Sequence, residues 1–167
     1  MRTEKTTNAL PQPNLHRWLY RGGRPNWLAA ILNRFWAMVH RLGIAPDYLV
    51  TLEVPGRRSG RIISLPLVMA VYAGERYLVS MLGPDASWVR NMKAAGGQVT
   101  LRHGRREVVR LEEVPTEQRA PILQVYLQRA PGARPHIPVD KDAPLAEFEK
   151  VAAQFPVFRV VAEHATE

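Results

Sequence analysis

The stretch "YLVTLEVPGRRSGRIISLPLVMAVYAGERYLVSML", residues 48–82, decides the fold. It contains three runs rich in Val, Ile, Leu and Tyr, which are "YLVTLEV", "IISLPLVMAVY" and "RYLVSML". Turn signals at Pro55–Gly60 and Ala73–Gly74 separate these runs. Such runs are typical of β-strands, and short turns between them predict antiparallel neighbours.

Three further strands follow. The runs "QVTLR" and "RREVVRLEEV" lie on either side of the turn His103–Gly104, and "FPVFRVVAE" ends the pattern. Between the third and fourth strands, Ser87 is predicted to cap a short helix from Trp88 to Ala95, which Gly96 and Gly97 end.

Two more helical stretches are predicted near the C-terminus, at about 116–129, where Pro121 disturbs the first turns, and at about 144–154. Six strands with a few peripheral helices predict a small antiparallel barrel in the mainly β, α+β class. We expect a flexible N-terminal segment at 1–25 and a single domain at 26–167.

An amphipathic helix is predicted at the start of that domain, after a cap at Asn26 and before a stop at Gly43. Its apolar stripe recurs at spacings of three and four residues and consists of Trp27, Ile31, Phe35, Met38, Val39 and Leu42. Packing on the core is favoured for this stripe. Two tryptophans and flanking arginines leave open a peripheral contact with a membrane surface.

Charge and composition restrict the partners. The formal net charge is +8, and residues 1–110 carry 17 Lys and Arg against 6 Asp and Glu, whereas residues 111–167 carry 6 against 9. A basic region attracts polyanions, which include nucleic acid, anionic lipid and phosphorylated cofactors. The chain has no cysteine, so disulfides and thiolate metal sites are excluded, and a cytoplasmic location is expected. No signal peptide is predicted in the polar N-terminal stretch.

The turn "PGRRSGR" has the composition of an anion site. Glycines at 56 and 60 allow a close approach of the backbone. We expect bare amides, the Ser59 hydroxyl and the guanidiniums of Arg57, Arg58 and Arg61 to face one space, where a phosphate would bind. The alternative is a solvated turn that happens to be basic.

A second constellation follows in "YLVSMLGPDASWVRNMKAAGG", residues 77–97. Here a strand leads through a glycine-containing loop into a helix that opens with Trp88, Arg90 and Asn91. The N-terminus of a helix presents free amides and partial positive charge, which suit an anion or an electron-rich ring.

Taken in this order, the two segments resemble the deazaflavin-dependent nitroreductases of the flavin/deazaflavin oxidoreductase group. The resemblance rests on "GRRSGR", "LPL", "GERYLVS", "GPDASWVRNMKAAGG" and "RREVV", continues into "VYLQRAPGARPHIPVD" and "FPVFRV", and covers about residues 45 to 161. It implies a split β-barrel and the cofactor 8-hydroxy-5-deazaflavin, F(420), which carries a phosphate and an oligoglutamate tail. It also implies a quinone-like or nitro-aromatic acceptor.

The resemblance also implies which residues bind the cofactor. The phosphate and tail would contact Gly56, Arg57, Arg58, Ser59 and Gly60, with Arg61 as an addition, while Pro66 matches a proline of the second strand. The deazaflavin ring would lie along Ser80, Met81, Leu82 and Gly83, and the following helix would contribute Trp88, Arg90 and Asn91. Tyr126 either lines the substrate site or packs in the core.

The function expected from the sequence is hydride transfer from reduced deazaflavin to a small aromatic or quinone acceptor. No catalytic acid–base pair and no metal site is expected, since the motifs for hydrolysis are missing. Histidines at 103 and 136 are more easily explained as structural than as proton donors. A nucleic-acid-binding module is disfavoured, because no aromatic residues interleave with the arginines. Two alternatives stay open, a split barrel that binds FMN or haem and a lipid or cofactor carrier, as does a homodimer.

Overall fold

Six β-strands hydrogen-bond around a closed barrel. The strands are β1 Leu49–Pro55, β2 Ile62–Tyr72, β3 Glu75–Val79, β4 Gln98–His103, β5 Arg105–Glu113 and β6 Val157–Ala162. Every neighbouring pair is antiparallel, and the order around the barrel is β1-β2-β3-β6-β5-β4. The computed structural model describes residues 48–163, and within them it confirms the predicted six-stranded antiparallel barrel.

Within residues 48–163, three α-helices accompany the barrel, α1 Ser87–Ala94, α2 Ala120–Arg129 and α3 Leu145–Val151. The stretch predicted as one helix at 116–129 is divided, because a 3-10 turn at Thr116–Gln118 precedes α2. Pro121 lies in the first turn of α2, where its missing N–H costs nothing. The stretch predicted at 144–154 likewise ends in a 3-10 turn, at Ala152–Gln154.

Apolar side chains form two clusters, one on each surface of the sheet. The cluster inside the barrel includes Leu52, Leu78, Val109 and Phe158, and α1 closes it with Trp88, Val89 and Met92. The other cluster lies between α2, α3 and the outer surface of β2, β3 and β6, with Leu123, Leu127 and Phe148 fully buried. Residues of β2, β3 and β6 therefore alternate between two apolar environments.

Two local predictions were wrong at the junction of β3 and α1. The third strand was expected to reach residue 82, but it ends at Val79, because the Ser80 hydroxyl donates to the Gly83 carbonyl at 2.6 Å and makes a turn there. Ser87 was expected to cap α1. It is instead the first helical residue, Ala86 occupies the cap position, and no side chain caps the helix.

The predicted N-terminal segment at 1–25 and the amphipathic helix at 26–43 lie outside the described residues. No helix between residues 48 and 163 is long and apolar enough to cross a bilayer. Because the barrel is closed, each of its six strands pairs with a neighbouring strand on both sides.

An ion pair bridges the barrel interior at the end opposite α1. Arg76 of β3 donates to both carboxylate oxygens of Glu107 on β5, at 2.7 and 2.9 Å. The pairing with Arg76 holds the pKa of the Glu107 carboxyl below its usual value. The bond therefore stabilises the fold above the carboxyl's unfolded pKa and is lost as the pH falls through the lowered folded value.

We expect Glu107→Gln to lower the free energy of unfolding at pH 7 by about 0.5–1 kcal/mol, the size of a partly exposed pair. The difference from the parent should shrink as the pH falls through the lowered folded pKa of Glu107, since both proteins then lack the carboxylate. Urea unfolding at several pH values measures this. Glu117→Gln, at an exposed position without an ion pair among the described residues, serves as the control, and an equal effect of both substitutions would contradict the assignment.

Two glycines connect α1 to β4 and differ in what surrounds them. Gly97 has a φ of +86°, and a Cβ there would lie 3.0 Å from the Leu111 carbonyl oxygen. Gly96 has a φ of +66° with nothing within 4 Å of a Cβ. Only Gly97 is required by both backbone conformation and close packing.

Gly96→Ala should therefore cost about 1 kcal/mol of stability for the left-handed conformation alone. Gly97→Ala should cost about 1–3 kcal/mol more, because the methyl group meets backbone that cannot rotate away. Chemical denaturation with both variants measures the difference. Equal midpoints for the two would show that the Gly97–Leu111 contact does not restrict this turn.

Candidate functional site

The two segments singled out in the sequence meet at one end of the barrel. The loop between β1 and β2, residues 56–61, follows β1, and α1 precedes β4. Since β1 pairs with β4, with Glu53 opposite Thr100, the end of β1 and the start of β4 lie side by side. The loop and the helix are consequently neighbours.

Three of the six amides of the loop at 56–61 donate to acceptors within the loop. The Gly60 amide donates to the Gly56 carbonyl at 2.8 Å, the Gly56 amide donates to the Arg61 carbonyl at 2.8 Å, and the Arg61 amide donates weakly to Ser59 Oγ at 3.4 Å. Gly60 has a φ of +66°, which a glycine adopts without strain. The expectation of bare loop amides is thus wrong for these three.

Arg57 connects the loop to α1. Its backbone amide and its Nη1 both donate to Asn91 Oδ1, at 3.2 and 2.9 Å. Asn91 is 3% exposed, so its side-chain position is fixed by packing. One buried amide oxygen therefore holds together two segments that are 34 residues apart.

Arg58 and Arg61 are the loop's available cations. Both are exposed, and neither forms a salt bridge within residues 48–163. Arg102 and Arg106, by contrast, both pair with Glu53, at 3.2 and 2.9 Å. The two arginines hold the pKa of the Glu53 carboxyl below its usual value against the opposing effect of desolvation, which is the largest single contribution. The uncompensated positive charge of this region lies on the loop.

The turn after β3 is rigid and lies between the two apolar clusters. Ser80 is 1% exposed, and its amide donates to the Pro156 carbonyl at 2.9 Å. Met81 packs against the cluster under the helices and Leu82 against the barrel interior. Gly83 has a φ of +83°. The backbone of Ser80–Gly83 therefore has a defined shape against which a planar ring could lie.

The first turn of α1 leaves amides free. The first helical amides have no carbonyl partner within a helix, and here no side chain caps them. Arg90 is half exposed and pairs with Asp85 at 2.5 Å. Trp88 does not face this surface, since it is 7% exposed and packs edge-to-face on Phe158 with ring centroids 5.5 Å apart. Its indole therefore anchors the helix in the barrel.

Two predicted site residues lie apart from this end of the barrel. Pro66 is half-buried in β2, opposite Thr51 of β1. Tyr126 is 4% exposed and belongs to the cluster between α2, α3 and the sheet, which favours the packing alternative. Burial raises the pKa of its phenol well above the usual value, so the group stays protonated.

Two ion pairs that Glu113 forms at the end of β5, one of them with α1, were not predicted from the sequence. Lys93 of α1 pairs with Glu113 of β5 at 3.0 Å, and Glu113 also pairs with the buried Arg119 at 3.0 Å. Arg119 in turn donates to the Val114 and Ala152 carbonyls. A lysine in the last turn of a helix and an acidic strand end are too common to reveal this chain of ion pairs.

Two grooves on the described part of the chain do not include the loop. One, of about 440 Å³, is lined by residues of β2, β3, β5, β6 and the start of α2, and the other, of about 430 Å³, is lined by Tyr48, Met69, Val71 and Arg129. Among residues 48–163 no group of His, Asp and Glu could hold a metal ion. The candidate site is an open surface of loop, turn and helix N-terminus.

Solved structures share the fold at low sequence identity. Neither a protein-family model nor a curated protein matches the chain. A protein of unknown function from Agrobacterium tumefaciens is 13% identical, with a TM-score of 0.50 over 71% of this chain and 49% of its own. This chain thus spans about half of that protein.

A Bacteroides thetaiotaomicron protein proposed to confer resistance to 5-nitroimidazole antibiotics is 12% identical, with a TM-score of 0.50 over 77% of this chain and 80% of its own. A reductase dependent on reduced F(420) is 23% identical, with a TM-score of 0.47 over 70% of this chain and 96% of its own. The first two likenesses show the fold.

Asn91→Ala should release the loop from α1, because Arg57 loses the acceptor of both hydrogen bonds. We expect a loss of about 1–3 kcal/mol in unfolding free energy, because two hydrogen bonds are lost and one of them has a charged donor, and faster exchange of the Arg57 amide proton. Asn91→Asp keeps an acceptor and should preserve slow exchange at neutral pH. Slow exchange in Asn91→Ala would show that the loop is held by other contacts.

Proposed function

We propose that the chain is an oxidoreductase that binds a reduced deazaflavin, F(420), and transfers hydride to a quinone-like or nitro-aromatic acceptor. The observation that carries the proposal is the pair of hydrogen bonds from Arg57 to Asn91. These bonds bring the basic loop and the start of α1 into one surface, which is the arrangement that the sequence resemblance requires.

The loop residues fit the anionic part of the cofactor. Guanidiniums form charge-assisted, forked hydrogen bonds with phosphate and carboxylate oxygens, and Arg58 and Arg61 are exposed for this purpose. Arg57 has a different role, since its guanidinium is already bonded to Asn91. It positions the loop and leaves the outer arginines to bind.

The turn at Ser80–Gly83 and the first amides of α1 fit the ring. The turn is fixed by two hydrogen bonds of Ser80, one through its hydroxyl and one through its amide. A rigid backbone surface can orient a planar ring at little entropic cost. The free amides at the start of α1 are placed to donate to a ring carbonyl or an anion.

When bound, reduced deazaflavin would supply a hydride, which carries two electrons, and the proton that completes reduction of the acceptor would come from solvent. The protein's own part is to hold the two reactants in contact. Two side chains that carry an exchangeable proton, Tyr126 and His103, lie away from the site. Tyr126 stays protonated in the core, and His103 lies at the opposite end of the barrel, where its Nδ1 is 2.9 Å from the Leu49 carbonyl oxygen.

The acceptor class follows from the same proposal. A protein with this fold is named for 5-nitroimidazole resistance, and 5-nitroimidazoles are nitro-aromatic. A nitroimidazole and a simple quinone are therefore the first acceptors to test with the reduced cofactor.

Binding of the cofactor comes before turnover. The test is a fluorescence titration of the purified protein with F(420) and, in parallel, with FMN. Saturable binding of F(420) together with oxidation of its reduced form by either acceptor supports the proposal. Binding of FMN alone would contradict it in favour of a flavin-binding barrel, and binding of neither would favour a carrier.

Arg58→Ala combined with Arg61→Ala should weaken F(420) binding about tenfold or more, since charge-assisted bonds are lost. Affinity should also become less sensitive to salt, because fewer exposed ion pairs remain to be screened. Arg105→Ala, which removes an exposed arginine from the opposite end of the barrel, is the matched control. Unchanged affinity of the double variant across salt concentrations would remove the anion assignment.

A further inference from the structure

An apolar groove lies where the described chain begins. Its lining consists of Tyr48, Met69, Val71 and Arg129, and its volume is about 430 Å³. We call this the mouth groove, because it lies at the end of the barrel opposite α1. Val71 lies on the interior side of β2, opposite Arg76. It is nevertheless 38% exposed, so the groove leaves an apolar side chain uncovered.

We propose that the mouth groove is the docking site of this chain's own predicted N-terminal helix, with the stripe from Trp27 to Leu42 facing Met69 and Val71. The proposal does not depend on the cofactor or on the reaction. It concerns the end of the barrel remote from the loop at 56–61.

Chain length restricts where the helix can lie. Tyr48 lines the groove itself and is fixed there, since its carbonyl accepts from the Met69 amide at 2.7 Å. Leu42 precedes Tyr48 by six residues, and a fully extended chain covers at most about 3.6 Å per residue. The last turn of the stripe therefore lies within about 22 Å of the groove, whatever path the connection takes.

The stripe needs an apolar partner. A helix of this length is marginal in water by itself and depends on packing of its apolar face. The mouth groove offers apolar side chains at the point where the connection ends. The charged residues around the groove are compatible with docking of the predicted N-terminal helix. Arg76, beside Val71, is already neutralised by Glu107. Arg129 would interact favourably with the C-terminus of the docked helix, which is the negative end of its dipole.

Another open surface within reach is a poor match. The outer face of β1, β4 and β5 carries Arg102 and Arg106, which are 61% and 67% exposed over a single Glu53. Residues 1–47 carry 7 Lys and Arg against 2 Asp and Glu. The excess positive charge of Arg102 and Arg106 would therefore oppose docking of the basic segment on this face.

The chain has no cysteine, so any disulfide in a double-cysteine variant must join the two engineered positions. Disulfide trapping can therefore test whether the stripe contacts the groove. In the full chain, Leu42→Cys with Val71→Cys should oxidise to an intramolecular disulfide in most molecules, detected as a mass loss of two hydrogens without dimer formation. In one control the groove cysteine is replaced by a cysteine on the outer face, as Leu42→Cys with Val108→Cys, since Val108 is 49% exposed. In the other control the stripe cysteine is replaced by one on the polar side of the predicted helix, as Arg41→Cys with Val71→Cys.

Docking through the stripe predicts that the first pair closes several-fold faster than either control. Equal rates in all three would overturn the proposal, because they indicate an undocked segment. A disulfide formed only between molecules would also overturn it, in favour of a second copy in the groove. Closure of the first pair only after addition of anionic lipid vesicles would overturn it in favour of a membrane-dependent arrangement.

A second measurement avoids the engineered cysteines. Val71→Asp places a charge in the mouth groove and should accelerate tryptic cleavage after Arg34 and Arg41 several-fold, as the helix undocks. Val108→Asp, on the outer face, should leave the cleavage rate unchanged. Equal cleavage of both variants and the parent would contradict docking.

Discussion

Closure of the barrel between β1 and β4 is the constraint on which the site depends. The seam is short, with Thr51 opposite Arg102, Leu52 opposite Leu101 and Glu53 opposite Thr100. Because these two strands are antiparallel, the loop that follows β1 lies beside α1, which precedes β4. The seam therefore sets the distance between the loop at 56–61 and α1, and the bond from Arg57 to Asn91 is a consequence of it.

The fold also decides which positive charges remain available. Several arginines that appear equivalent in the sequence are committed to carboxylates in the described residues, including Arg76 to Glu107 and Arg159 to Glu112. Such pairing neutralises the surface of the barrel without removing its arginines. The loop carries a local excess, because Arg57 is bonded to a neutral amide and Arg58 and Arg61 project outward. Net charge alone predicted an anionic partner, and the ion pairs distinguish the arginines that are paired with carboxylates from those of the loop.

The sequence predicted the strands well because each one alternates between two apolar environments or is bounded by glycine or proline turns. It predicted less of the site, for reasons that differ by residue. Ser80 ends β3 through a hydrogen bond to Gly83 that no periodicity reveals. Trp88 lies in the expected segment but points into the barrel against Phe158, since the direction of a helix face depends on its tertiary partner. The roles of Asn91 and Arg119 depend on contacts with residues distant in the chain.

The start of α1 has no side-chain cap, because the residue at the cap position packs in the barrel interior. A Ser, Thr, Asp or Asn at the cap would stabilise the helix by about 1 kcal/mol, yet the position holds Ala86, which is 4% exposed and packs in the barrel interior with Trp88. A polar cap there would be pushed into an apolar cluster, and desolvation would offset the capping bond. The helix therefore keeps its first amides unpaired as a result of how it closes the barrel. The same amides lie beside the turn at Ser80–Gly83, where a ligand could satisfy them.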